Sequence, residues 1–224
     1  MPPRLARIVD TRALPIALGY LPVAFAFGLA AVALHAPAWF PILLSLLLYA
    51  GASQFAALHL VATGAPLVAS VLAIWLINLR MALESLSFFR RAGWSRRPRA
   101  LALWLTDETF VAASLGPAPQ PWEFLRLAWL PYSAWVAGTA LGALLGGILP
   151  SLLRDAFGIS IDALFLTLLV STLRQEPSAV WSALCGAAAA LLAQPLGGWS
   201  LLVGMGTGAI AHLLIAPKVK ETRP

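Results

Sequence analysis

Charge is scarce in this 224-residue chain: 11% of its residues are Asp, Glu, Lys or Arg, where a soluble domain carries about 25%. Residues 13–79 hold none at all, and two further charge-free runs cover 127–153 and 177–217. So little polar surface cannot coat a water-soluble globule, which excludes a cytosolic enzyme, a nucleic-acid module and a disordered scaffold. Cysteine is nearly absent as well. Cys185 stands alone, so an intrachain disulfide and a thiolate metal cluster are excluded. His35, His59 and His212 are scattered, without the spacing of a metal site. There is no His-Glu-x-x-His and no Gly-x-Ser-x-Gly. Gly204, Gly206 and Gly208 lack the lysine that a phosphate loop needs. The expectation is no cofactor, no metal and no enzyme.

What is present is apolar: 60% of residues are hydrophobic and the mean hydropathy is +0.85. A bilayer core takes about 20 apolar residues per helix, so the first charge-free run alone holds about three segments. Strands of a barrel would be short and alternating. The chain therefore reads as an all-α integral membrane protein, one transmembrane domain over residues 1–224. Its helical bundle has six to eight apolar segments, because backbone groups in lipid must bond within their own segment. They fall at about 14–34, 41–61, 66–86, 100–115, 126–149, 159–173, 179–192 and 199–215.

The net charge of +6 sits in tails and loops, the mark of cytoplasmic segments rather than of nucleic-acid binding. Arg4, Arg7 and Arg12 precede the first run, which reads as an uncleaved span with the N-terminus inside. Three full crossings would then carry Arg90, Arg91, Arg96, Arg97 and Arg99 outside, against the positive-inside rule. A second segment that re-enters at Gly51-Ala52-Ser53 removes the conflict. With segment 159–173 as its counterpart, halves 1–115 and 124–217 would form an inverted repeat with one broken segment each. The rival is eight plain crossings.

Four places could carry chemistry. Gly51, Ser53, Gln54 and Phe55 lie where polar side chains and a glycine interrupt an apolar run. A break there, with Ser53 capping the next half-helix, would aim free amides at a carboxylate. The alternative is a small-residue packing face with Gln54 bonded across helices. Asn78 needs partners wherever it is buried, and Arg80 and Glu84, one turn apart, can pair. Asp107 and Glu108 sit inside an apolar segment, fit for relaying a proton or holding an ammonium group; Thr106 or Asp107 capping a short helix is the bland version. Asp162, with Ser160, divides the same way. Gly138, Gly142 and Gly146, spaced by four, form a helix–helix contact face.

Taken in order, four stretches resemble the AzlC family, the large subunit of bacterial branched-chain amino acid exporters. They are Gly19-Tyr20-Leu21-Pro22 with Phe25-Ala26-Phe27-Gly28, Ala50-Gly51-Ala52-Ser53-Gln54-Phe55-Ala56-Ala57, Leu76-Ile77-Asn78-Leu79-Arg80, and Leu105-Thr106-Asp107-Glu108-Thr109-Phe110. The resemblance implies secondary, proton-coupled export of hydrophobic amino acids such as valine, leucine and isoleucine. It also implies a cytoplasmic (inner) membrane location and a small membrane partner of the AzlD type. Where the family commonly has histidine after Asn78-Leu79-Arg80, this chain has Met81. The expected substrate site is Gly51, Ser53, Gln54, Phe55 and Asn78, with Asp107, Glu108 and Asp162 for coupling or for the ammonium group. The alternatives are a non-transporting structural subunit and a channel-like permease for another small solute.

Overall fold

The computed structural model describes residues 10–94, 97–150, 166, 169, 170, 172–174 and 176–215. Among these there is no strand, and the chain is an α-helical membrane protein. The helices are α1 (Ala13–Ala33), α2 (Trp39–Leu47), α3 (Gly51–Ala62), α4 (Leu67–Ala92), α5 (Asp107–Ser114), α6 (Pro121–Leu145), α7 (Ala179–Leu192) and α8 (Trp199–Ile215). Tighter 3-10 turns cover Arg97–Trp104 and Gln194–Leu196. α1 and α4 are long and apolar enough to cross a membrane. Along α4, Leu67, Val71, Trp75 and Leu83 are each more than half exposed, an apolar face suited to lipid and unsuited to water.

The chain forms two compact units, Met1–Leu58 with Leu76–Ile161, and His59–Trp75 with Asp162–Pro224. In the first, α1 and α6 touch along glycine. A Cβ at Gly138 would stand 2.7 Å from the Leu21 carbonyl oxygen, and one at Gly142 would overlap the Phe25 backbone. Gly28 on α1 meets the backbone of Thr139 and Ala143 in return. Missing side chains let the backbones approach, which is how helices gain van der Waals contact in lipid. The glycine face expected at 138, 142 and 146 is thus a contact with α1. A buried apolar cluster of Phe88, Trp94, Leu105, Phe124 and Leu127 packs the other end of this unit.

The second unit repeats the device with α7 and α8. A Cβ at Gly204 would lie 2.7 Å from Ala190 Cβ and 2.8 Å from the Gly186 carbonyl oxygen.

Several boundaries differ from the sequence expectation. The 41–61 segment is interrupted, but over residues 48–50, with Gly51 already helical. α2 and α3 have 9 and 12 residues, and at 1.5 Å per residue neither spans a core about 30 Å thick. The 100–115 segment is also split, at Leu105-Thr106. α4 continues past residue 86, so Arg90 and Arg91 lie in its last turn rather than in a loop. There their charge complements the helix C-terminus, and Gly93, at φ +63°, follows. α6 begins at Pro121, five residues before the expected 126. Proline fits the first helical position, and the Glu123 carboxylate accepts from the Gln120 amide at 2.7 Å. The 159–173 segment lies mostly outside the described residues, as do Ser160, Asp162 and the basic tail.

Candidate functional site: two helix interruptions joined by Tyr20

The α2–α3 interruption is held by side chains of its neighbours. Leu46 sits in the last turn of α2, where carbonyls lose their helical partners, and its oxygen accepts from the Tyr132 hydroxyl at 3.0 Å. Trp135 lies under Gly51, where a Cβ would come within 2.8 Å of the indole. Behind the break runs a buried polar chain. Trp135 Nε1 donates to Gln54 Oε1 (2.8 Å), Gln54 Nε2 donates to Ser45 Oγ (2.9 Å), and Ser45 and Thr139 share a hydrogen bond of 2.7 Å. Gln54, Ser45 and Thr139 are each 0% exposed. A buried amide bonded at both ends costs little to keep, whereas an unpaired one would cost about 1–3 kcal/mol.

Ser53 is the third residue of α3 rather than its cap. Its hydroxyl donates to Asn78 Oδ1 at 2.7 Å, so two of the expected site residues meet. Phe55 turns inward onto Phe27, ring centroids 5.2 Å apart. Arg80 does not pair with Glu84. It crosses to Asp107 at 2.7 Å, and the Glu84 carboxyl lies against that of Asp107. Glu84 Oε2 and Asp107 Oδ1 are both enclosed and receive no hydrogen bond.

The second interruption opens α5. Thr106 is extended (φ −122°, ψ 168°) and caps the helix reciprocally with Thr109, which leaves Asp107 and Glu108 in the first turn, where a helix N-terminus favours negative charge. The capping alternative is the local structure, and it does not use up Glu108. Glu108 Oε2 receives a short hydrogen bond from the Tyr20 hydroxyl, which also bonds Thr106 Oγ1 at 2.7 Å. Tyr20 projects from α1 in the turn before Pro22, where proline removes one backbone hydrogen bond. Its ring meets Trp135 (5.3 Å) and Tyr49 (6.2 Å) edge to face, and Tyr49 belongs to the α2–α3 break. One tyrosine therefore brings the two interruptions together within a single unit. The residues around it, Tyr20, Tyr49 and Trp135, escape a search of the sequence for charges and glycines. Their signal is a hydroxyl or indole N–H inside charge-free runs.

The far end of α5 is clamped from outside the apolar segments. Arg12 Nη1 donates to the Ala112 carbonyl at 2.7 Å, and Arg91 donates to those of Ser114 and Gly116. A cleft of about 430 Å³ opens beside it, lined by Asp10, Arg12, Glu123, Arg126 and residues 116–119. The Arg12 guanidinium bonds Asp10 (2.8 Å) and holds its carboxyl below the usual range. In the second unit His212 lies between Ser182 (Nδ1, 3.4 Å) and Glu176 (Nε2, 3.7 Å). No group of three or more His, Cys, Asp or Glu residues suited to a metal ion occurs among the described residues.

Comparison with known proteins adds a lineage. The family model described as AzlC protein matches residues 15–149. The "Inner membrane protein YgaZ" of Escherichia coli is 34% identical over 217 residues, 91% of this chain and 87% of its own length. An uncharacterized membrane protein of Archaeoglobus fulgidus is 39% identical over 206 residues, 91% and 88%. The "Branched-chain amino acid transport protein AzlC" of Bacillus subtilis is 25% identical over 179 residues, 77% and 69%. No solved structure matches.

Proposed function

The chain belongs to the AzlC family, and from that membership and the joined interruptions we propose that it is a secondary active transporter. It exports branched-chain or other hydrophobic amino acids across the bacterial cytoplasmic membrane, driven by protons, with a small AzlD-like subunit and with its N-terminus in the cytoplasm. The family is associated with membrane transport rather than catalysis. The observation that carries the reading is the meeting of Tyr49 and Glu108 at Tyr20, where two helix interruptions bring polar groups together in an apolar chain.

A zwitterion entering hydrocarbon needs separate partners for its two charges. Its carboxylate would meet the first amides of α3 at Gly51, beside Ser53 and Asn78. Its ammonium would face the Asp107 carboxyl, whose Oδ1 is enclosed and without a hydrogen bond, which leaves Glu108 for the proton. Gln54 and Phe55, bonded and packed as they are, would shape the wall behind the aliphatic side chain. Asp162 is a further coupling candidate, and an Asp162→Asn variant that transports at the wild-type rate across pH would remove that residue.

Counterflow of labelled leucine in vesicles, with and without the small subunit, tests the transporter reading. Exchange in either preparation supports it. No exchange in both defeats it for these substrates and leaves the structural-subunit reading.

A further inference from the structure

Hydrogen counting at Tyr20 separates the two acids at the start of α5. The tyrosine hydroxyl owns one hydrogen yet contacts two oxygens, Glu108 Oε2 and Thr106 Oγ1. One of the two bonds must therefore run toward it. Thr106 is able to supply that bond: its Oγ1 accepts the Thr109 amide (3.4 Å), while Thr109 Oγ1 donates to the Thr106 carbonyl (3.1 Å). The Thr106 hydrogen is then free to point at Tyr20. With Glu108 charged, Thr106 donates to Tyr20 and Tyr20 donates to the carboxylate. With Glu108 protonated, the acid donates to Tyr20 and Tyr20 donates to Thr106. Both states are fully bonded, and one turns into the other by rotation of two hydroxyls plus one proton gained or lost at Glu108. No tyrosinate forms.

Asp107 has no such arrangement. Arg80 holds one of its oxygens at 2.7 Å, and its other oxygen is enclosed with no hydroxyl to bond it in either protonation state. The charged and titratable groups around Glu108 are Tyr20 on α1, Tyr49 in the α2–α3 link, Arg80 and Glu84 on α4, and Asp107 beside it. Tyr49 adds an independent sign of a missing partner. It is only 5% exposed, its hydroxyl is enclosed, and it makes no hydrogen bond. A buried hydroxyl in that condition costs about 1–3 kcal/mol unless something arrives to bond it.

We propose that Glu108 is the proton carrier of this transporter, that Tyr20 and Thr106 form a reversible hydroxyl relay serving both of its protonation states, and that the Tyr49 hydroxyl is the open position where the substrate's polar end meets the relay. The proposal rests on the transporter reading. It makes Tyr20 and Thr106 positioning residues.

The test compares two assays in vesicles containing the chain and its small subunit: counterflow of leucine, which needs no net proton movement, and accumulation driven by an imposed pH gradient. Glu108→Gln should keep counterflow within about threefold of wild type and lose driven accumulation. Tyr20→Phe should keep counterflow and lower accumulation about tenfold. Thr106→Ser, which retains the cap and the hydroxyl, should accumulate like wild type. Accumulation that survives in Glu108→Gln overturns the proposal, as does accumulation lost instead in Glu84→Gln. Loss of both assays in a Glu108→Gln protein that still elutes as a single folded species overturns it too, by assigning the residue to binding. If the wild-type chain shows no counterflow, the transporter reading itself fails.

Discussion

The hydroxyl of Tyr132 on α6 bonds the carbonyl oxygen of Leu46 at the end of α2, so a side chain replaces a backbone bond that the helix break removed. In lipid no water stands ready to do this. Tyr132→Phe keeps the ring stacked on Trp104 at 5.1 Å and deletes only the donor. We expect a loss of about 1 kcal/mol, read as a lower melting temperature in detergent. An unchanged melting temperature would show that Leu46 finds another donor.

The glycine contact makes a sharper claim. Gly142→Leu forces a side chain into the Phe25 and Leu29 backbone, and overpacking of this kind costs about 1–3 kcal/mol or more. Gly147→Ala, with nothing within 4 Å of its Cβ, should stay within about 0.5 kcal/mol of wild type. Thermal unfolding of both proteins checks the contrast, and equal effects would place the α1–α6 contact elsewhere.

The Glu84 and Asp107 carboxyls lie side by side, and each keeps one enclosed oxygen without a hydrogen-bond partner. Glu84→Gln introduces an amide hydrogen of the right reach. It should raise stability by about 1 kcal/mol, whereas Arg80→Gln, which strands both carboxyls, should lower it. A melting temperature that falls in Glu84→Gln would contradict this pairing.

Asp10 supplies a pH dependence outside the apolar segments. Its hydrogen bond from Arg12 lowers its pKa in the folded chain, so the stability it contributes is present above the unfolded value near 4 and is lost as pH falls through the lower folded one. Between about pH 5 and pH 3 the wild-type melting temperature should fall more steeply than that of Asp10→Asn. Parallel curves would mean that the Arg12 contact carries no folding energy.

The helical class, the runs that become α7 and α8, and the glycine face of α6 were legible because each rests on short-range pattern: absence of charge, length, and a spacing of four. The break near Gly51 was legible for the same reason. Its placement was not, because the partners that satisfy it, Tyr132 and Trp135, are more than eighty residues away. The Arg80–Glu84 expectation failed on similar grounds. Helical spacing permits that pair, but Asp107, brought alongside by a turn after α4, offers the guanidinium a closer partner. His212 illustrates the limit in another form, since its neighbours Ser182 and Glu176 are gathered by helix packing and leave no linear signature. The small hydroxyl network at Tyr20 was present only as letters within a longer motif.

Because α1 and α6 meet backbone to backbone at Gly28, Gly138 and Gly142, no lipid chain can wedge between them and neither can roll over the other without collision. They behave as one rod. In the proposed transport cycle, movement that exposes Tyr20 and Tyr49 to either side would fall to the short pieces α2, α3 and α5 and their interrupted ends.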